Sequence, residues 1–292
     1  MNVSPGASKR IASFRREIIN QLPRFNPNDK SSKEAIENHS LGGLLVHYIN
    51  WRSRFVGQRP RVVKVEASAT RDPRWHRLSS EIIALLDKVK CGGDLTPHLS
   101  LRVKTKGYTP SAMAPGPVTN RWADKDFVRN VMHFHHFHLG LKLREDGFVE
   151  RTDDVLVACV SRHRFEVIGV FDHTVFEDED PNTMPAERQR LWDLFLERKA
   201  RGAALGSPML LSNIASSGHT DDTVSRADDY ASIVQQLDPR LDQPEFVSQL
   251  LVFPSGACIP AKPKLVWRLE HLDLGIFEES HPVFFPLREG PN

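Results

Sequence analysis

Between Lys9 and Leu22 the apolar residues Ile11, Phe14, Ile18, Ile19 and Leu22 recur at the spacing of one helical face. The proline- and asparagine-rich RFNPNDKSS that follows marks a loop, with Ser32 a candidate cap for a second helix starting near Lys33. A third helix is expected through LLVHYINWRSRF. After Pro60 the pattern changes: RVVKVEASA is short and β-branched, and so reads as a strand. Asp72-Pro73 places a capping side chain before a proline at the first helical position, opening a helix through WHRLSSEIIALLDKV that Gly92-Gly93 ends.

The stretch Thr105 to Val118 is rich in proline and glycine and reads as a loop. Asp124 can cap a short helix, KDFVRNVM, which leads straight into HFHHFHLGLKLRED. There the period changes to two. Phe137, Leu139, Leu141 and Leu143 would share one face of a strand, and His136, His138, Lys142 and Arg144 the other. If the apolar face is the core, the two histidines stand on the outer face in line with two cations, while His133 and His135 lie inward near the strand's start. VLVACV and FEVIGVF then flank the polar turn SRHR as a β-hairpin, closed by Asp172-His173. Helical patterns follow in AERQRLWDLFLERKA, DTVSRADDYASIVQQL and EFVSQLL. The expectation is an α+β protein with a small antiparallel sheet core and helical additions at both ends. Its regions are an N-terminal helical one (1–58), an α+β core containing the histidines (59–178) and a mainly helical C-terminal one (183–292).

Composition narrows the class. At 292 residues, 40% hydrophobic and 26% charged, the chain has the make-up of a water-soluble globular protein. It has no apolar run of transmembrane length, and its N-terminus lacks a signal peptide's apolar stretch. Cys91, Cys159 and Cys258 are far apart and form no CxxC pair, against a disulfide scaffold or a thiolate zinc site. A cytoplasmic protein without a membrane partner is the reading. The net charge of +2 makes no bulk case for nucleic acid, although Lys9 to Arg16 and Arg52 to Lys64 are locally basic and Glu177 to Asp180 acidic.

His133, His135, His136 and His138 are the densest cluster of chemically versatile side chains. One use is metal binding: His136 and His138 could hold a zinc ion from one strand face with His173 as third ligand, His133 and His135 being further candidates. The pattern is not HExxH, and it lacks the aspartates that follow histidine pairs in many binuclear hydrolases. The other use needs no cofactor. Two imidazoles and a cation suffice in principle to cleave RNA, one taking the 2′-hydroxyl proton, one protonating the leaving oxygen, the cation stabilising the phosphorane. His136, His138, His173 and Arg144 are the catalytic candidates, with Lys142, Arg162 and Arg164 as RNA contacts. TPHLSLRV holds half of a two-histidine phosphoesterase signature without a proper second copy, and HFHHFH breaks the H-x-H-x-H register of histidine-triad hydrolases. His219 with Asp221 and Asp222 in SSGHTDD is a further possible site.

The order of elements from 60 to 176, ending in VLVACVSRHRFEVIGVFDHTVF, resembles that of RelE-like bacterial toxins over about two-fifths of the chain. The resemblance implies a metal-independent endoribonuclease of toxin or phage-defence type, with RNA as substrate and an antitoxin or other inhibitory partner. It also implies basic and histidine residues on the exposed sheet face, matching His136, His138, Lys142, Arg144 and His173. The length of the chain, its helical additions and the 105–118 loop depart from that family's compact form. Fold likeness alone does not establish function, and a zinc-dependent hydrolase or a non-enzymatic binding module with structural histidines remain the alternatives.

Overall fold

The computed structural model describes residues 8–23, 30–108, 127–176, 184–201, 214–215, 217–250, 260 and 262–292. Asp124, most of the 105–118 loop, the acidic run 177–180 and Cys258 lie outside the described residues. In chain order the elements are α1 (Lys9–Gln21), α2 (Lys30–Glu37), α3 (Leu41–Arg52), β1 (Val62–Val65), α4 (Ala67–Thr70), α5 (Pro73–Arg77), α6 (Ser79–Cys91), α7 (Arg102–Thr105) and α8 (Phe127–Met132). Then come β2 (Phe134–His138), β3 (Asp154–Val160), β4 (Arg164–Asp172), α9 (Ala186–Ala200), α10 (Asp221–Leu237), α11 (Pro244–Leu250), β5 (Leu265–Glu270), β6 (Asp273–Glu278) and β7 (Val283–Arg288). The protein is α+β, and its backbone packs as two compact units: one of residues 1–53, 104–125 and 215–291, the other of 54–103, 126–214 and Asn292.

In the first unit, side-chain oxygens start three helices: Ser8 accepts from Ile11 N (3.2 Å), Ser40 from Gly43 N (3.1 Å) and Thr220 from Thr223 N (3.2 Å). Ser32, expected as a cap, instead lies buried within α2. The C-terminal region is not helical alone. LVWRLE alternates buried positions with half-buried or exposed ones and opens an antiparallel meander, β5-β6-β7, whose register sets Trp267 beside Ile276 and Ile276 beside Phe285. Buried Asp238 accepts from Trp267 Nε1 at 2.8 Å and pairs with Arg10 at 3.0 Å, so this interior carboxylate has its polar partners.

The second unit is built on a four-stranded sheet of order β1-β4-β3-β2. The hairpin forms as expected, β3 antiparallel to β4 with a bulge at Val157/Ala158, and β2 pairs antiparallel with β3 from Phe134↔Cys159 to His138↔Val155. The sheet is mixed rather than wholly antiparallel, because β1 runs parallel to β4, from Val62↔Arg164 to Val65↔Val167. The strand expected over RVVKVEASA stops at Val65, and ASAT turns helical as α4. The helix opened by Asp72, whose carboxylate accepts from Arg74 N at 2.9 Å, breaks at Leu78 into α5 and α6. Gly92 ends α6 with φ +75°, a left-handed cap where a Cβ would also lie 2.7 Å from Pro60 N. One face of the sheet is packed by Val128, Val131 and Met132 of α8 and by Leu191 and Phe195 of α9, together with Phe134, Val155, Val157 and Phe171 from the strands.

Candidate functional site

His133 links α8 to β2. Its backbone N donates to Arg129 O at 3.0 Å and its φ is +58°, so the chain turns in a left-handed residue before the strand begins. From Phe134 the side chains alternate. His135 and Phe137 share one face, stacked at 6.1 Å, with Phe137 5.2 Å from Phe165. Phe134, His136 and His138 share the other, which is the face that α9 and the 3-10 turn His173–Phe176 cover. His136 and His138 therefore do share a face, as their spacing predicts, but it is not an open outer face. Both faces of β2 are packed, and His135 (3% exposed) and His138 (4% exposed) are interior residues.

The turn after β4 brings His173 to the same place. Its ring stacks on His138 at 5.5 Å and 23°; His136 stands edge-on to His138 at 6.3 Å; the Phe176 ring lies 4.7 Å from His136 and 6.1 Å from His173. The hydrogen bonds assign the tautomer of His173. Its Nδ1 lies 2.9 Å from Asp153 O, and a carbonyl only accepts, so Nδ1 carries the hydrogen and Nε2 keeps the lone pair in the neutral ring. His138 has no hydrogen-bond partner at Nδ1. Burial, followed by the nearby His136, Arg151, His173 and His98, pushes its pKa down to about 3, so this ring is neutral at physiological pH.

Beneath the strand end, His98 forms a strut. Its Nδ1 donates to His138 O at 2.8 Å, which leaves Nε2 to accept from Lys88 Nζ at 2.9 Å. Burial and the Lys88 charge depress its pKa, although the bond to His138 O works the other way. The histidine of TPHLSLRV is thus a support for the β2 backbone.

Charged groups gather at the same end of the sheet, around an open cleft of about 400 Å³ whose walls include Ser68, Asp72, Arg74, Glu187 and Arg190. Arg74 bonds Asp72 (2.8 and 3.0 Å) and Glu187 (2.9 and 3.2 Å), and lies 3.6 Å from Asp172 and 3.9 Å from Asp154. Arg190 also pairs with Asp72 and Glu187, and Arg77 with Asp154 at 2.5 Å. The network touches the histidine turn directly: Glu187 accepts from Asp172 N at 3.3 Å, while the Asp172 carboxylate accepts from the Thr174 backbone N and hydroxyl. Arg74 and Glu187 thereby hold the first turn of the segment that presents His173.

The remaining candidates lie elsewhere. The strand stops at His138, so the two-residue period does not continue to Arg144. Leu141 and Leu143, expected in the core, are 62% and 65% exposed on a small hairpin arm that closes through Leu143↔Val149. Just past the strand, a Cβ at Gly140 would sit 2.2 Å from Glu150 O, so only glycine allows the returning chain of the arm this close. Lys142 and Arg144 are on the arm, with Arg144 paired to Asp146 at 2.9 Å. Arg162 and Arg164 lie at the far end of the β3–β4 hairpin, about 20 Å from His138 at the rise of an extended strand. The charge of Arg151 reaches His138, whose pKa it helps to lower.

Among the described residues no group of three or more His, Cys, Asp or Glu side chains is arranged to hold a metal ion. Strand alternation sends His135 away from His136 and His138, and His133 belongs to the helix cap, which separates these two candidate ligands from the other three. No described helix is long and apolar enough to cross a membrane. His219 of SSGHTDD belongs to a second aromatic cluster in the first unit, 5.1 Å from His47, itself 5.0 Å from His39 and 4.8 Å from Tyr108. His39, His47 and Tyr108 come from other segments than His219, which is why the local pattern at SSGHTDD did not announce the cluster.

No family model, curated protein or solved structure matches the chain.

Proposed function

We propose that this protein is an endoribonuclease that cleaves RNA by histidine acid–base chemistry without a metal. The observation that carries the reading is the meeting of His136 and His138 of β2 with His173 of the turn after β4: the His138 ring lies 5.5 Å from that of His173 and 6.3 Å from that of His136. An RNA substrate brings its own nucleophile. His173 Nε2, left with its lone pair by the Nδ1 bond to Asp153 O, would take the proton of the 2′-hydroxyl as that oxygen attacks phosphorus. The bond from phosphorus to the 5′-oxygen breaks, and His136 would give that oxygen its proton. Arg151 would stabilise the charge on the phosphorane. His138, neutral and buried, would back the other two rings without adding a charge beside them. Arg144, Lys142, Arg162 and Arg164 have no part in this arrangement, which replaces them with Arg151.

A toxin or phage-defence setting, a cytoplasmic location and an inhibitory partner complete the proposal; they rest on the resemblance of element order to RelE-like toxins. The products test the chemistry. Cleavage should leave a 2′,3′-cyclic phosphate and a 5′-hydroxyl, and an oligonucleotide with a single 2′-deoxy sugar should resist cleavage at that linkage. A 5′-phosphate product, or cutting at the deoxy linkage, would refute the mechanism.

A further inference from the structure

We infer that Phe176 is a stacking platform for a nucleobase, which commits the histidine site to single-stranded RNA; this rests on the reading of the site as a ribonuclease. Phe176 ends the turn that carries His173, is only half-buried, and packs against the apolar cluster that contains Phe134 and Phe195. Its ring is tilted at 54° to His136 at 4.7 Å and stands edge-on to His173 at 6.1 Å. An aromatic ring fixed by the core and flanked by the two candidate proton-transfer groups lies within one nucleotide's reach of any phosphate they share. Bases stack on such rings largely irrespective of sequence, provided that they are not already stacked in a duplex.

The chemistry points the same way. In-line attack by the 2′-oxygen needs a backbone free to swing that oxygen opposite the leaving 5′-oxygen, a geometry that an A-form duplex withholds and a splayed strand reaches.

The experiment compares the wild-type chain with F176L, F176A, F176Y and F176W on a fluorescent unstructured RNA and on the same RNA annealed to its complement. The expected result is that F176L and F176A raise KM on the single strand about tenfold, the size of one lost base–ring stack, with kcat changed by less than about threefold. F176Y and F176W, which keep the π face, should stay near wild type, and the duplex should be cleaved at least about tenfold more slowly than the single strand. F176L keeps apolar volume against the core, so it carries the test if F176A fails to fold. An unchanged KM in F176L, or equal cleavage of duplex and single strand, overturns the platform. If wild type cleaves neither RNA, the ribonuclease reading fails on its own account. Anisotropy with the same single strand then decides the platform: tighter binding by wild type and F176W than by F176L upholds it, and equal binding removes it.

Discussion

Replacing Arg74 with methionine keeps most of the side-chain length and removes the guanidinium on which the charge network converges. Arg74 is 21% exposed and makes four bonds of 2.8 to 3.2 Å to Asp72 and Glu187, whose side chains are 6% and 17% exposed. Arg190 remains beside both carboxylates and Arg77 beside Asp154, so the loss is partial neutralisation rather than an isolated buried charge. Breaking one side of a buried ion pair costs about 3–5 kcal/mol, and the surviving arginines place the expected loss near the lower end, about 3 kcal/mol at pH 7. Acid should shrink that gap. Burial tends to raise the Asp72 and Glu187 carboxyls, but the bonds from Arg74 and the charge of Arg190 outweigh it and hold both below their ordinary range. A carboxyl depressed in the folded state contributes stability above its unfolded value of about 4 and loses it as pH falls through the folded value. Without Arg74 those pKa values rise, so the variant's deficit should be full at pH 7 and narrow steadily below about pH 4. Urea denaturation followed by tryptophan fluorescence at a series of pH values measures this. A loss under about 0.5 kcal/mol at neutral pH, in the range of ordinary surface substitutions, would refute the reasoning, as would a deficit that stays constant into acid.

Arg77→Ala should cost no more than about 1 kcal/mol in the same assay, because Arg77 is 63% exposed and surface pairs are worth little. His138→Asn should flatten the acid limb of the stability profile. The neutral native ring, at about 3, binds fewer protons than the unfolded one near 6.5, so wild-type stability falls as pH drops through that window by up to about 1.4 kcal/mol per unit. Equal slopes for the two proteins would contradict the assignment. Gly140→Ala drives a Cβ to 2.2 Å from Glu150 O and should lower stability by about 1–3 kcal/mol or more, visible as a lower Tm. A Leu141→Ser/Leu143→Ser double variant, both residues lying on the exposed arm, should melt within a degree or two of wild type.

What the sequence disclosed follows from how local each signal is. The VLVACV–FEVIGVF hairpin, the AERQRLWDLFLERKA helix and the Asp72 cap are written in adjacent residues, and each forms where the pattern put it. The parallel pairing of β1 with β4 joins residues about a hundred apart, and no periodicity encodes it. The shared face of His136 and His138 was legible from the two-residue period. Its covering by α9 and the 173–176 turn was not, because a strand's pattern reports alternation and not what packs on each side. The period misled past Leu139: Leu141 and Leu143 alternate with cations as a strand would, and the close approach of Gly140 to Glu150 that shapes the exposed arm joins residues ten apart. Arg74 and Phe176 reach the site from separate segments and carry no motif of their own, while the partial signature around His98 pointed to catalysis where the residue props the β2 backbone.

The central claim is that the His136, His138 and His173 cluster cleaves RNA without a metal. The direct test is cleavage of an unstructured RNA by the purified wild-type chain and by the His136→Ala/His138→Ala double variant, each with and without EDTA. The account predicts wild-type cleavage that EDTA leaves intact and the double substitution abolishes in a chain that still unfolds cooperatively. Cleavage lost on chelation, retained in the folded double variant, or absent from the wild type under all conditions would contradict it.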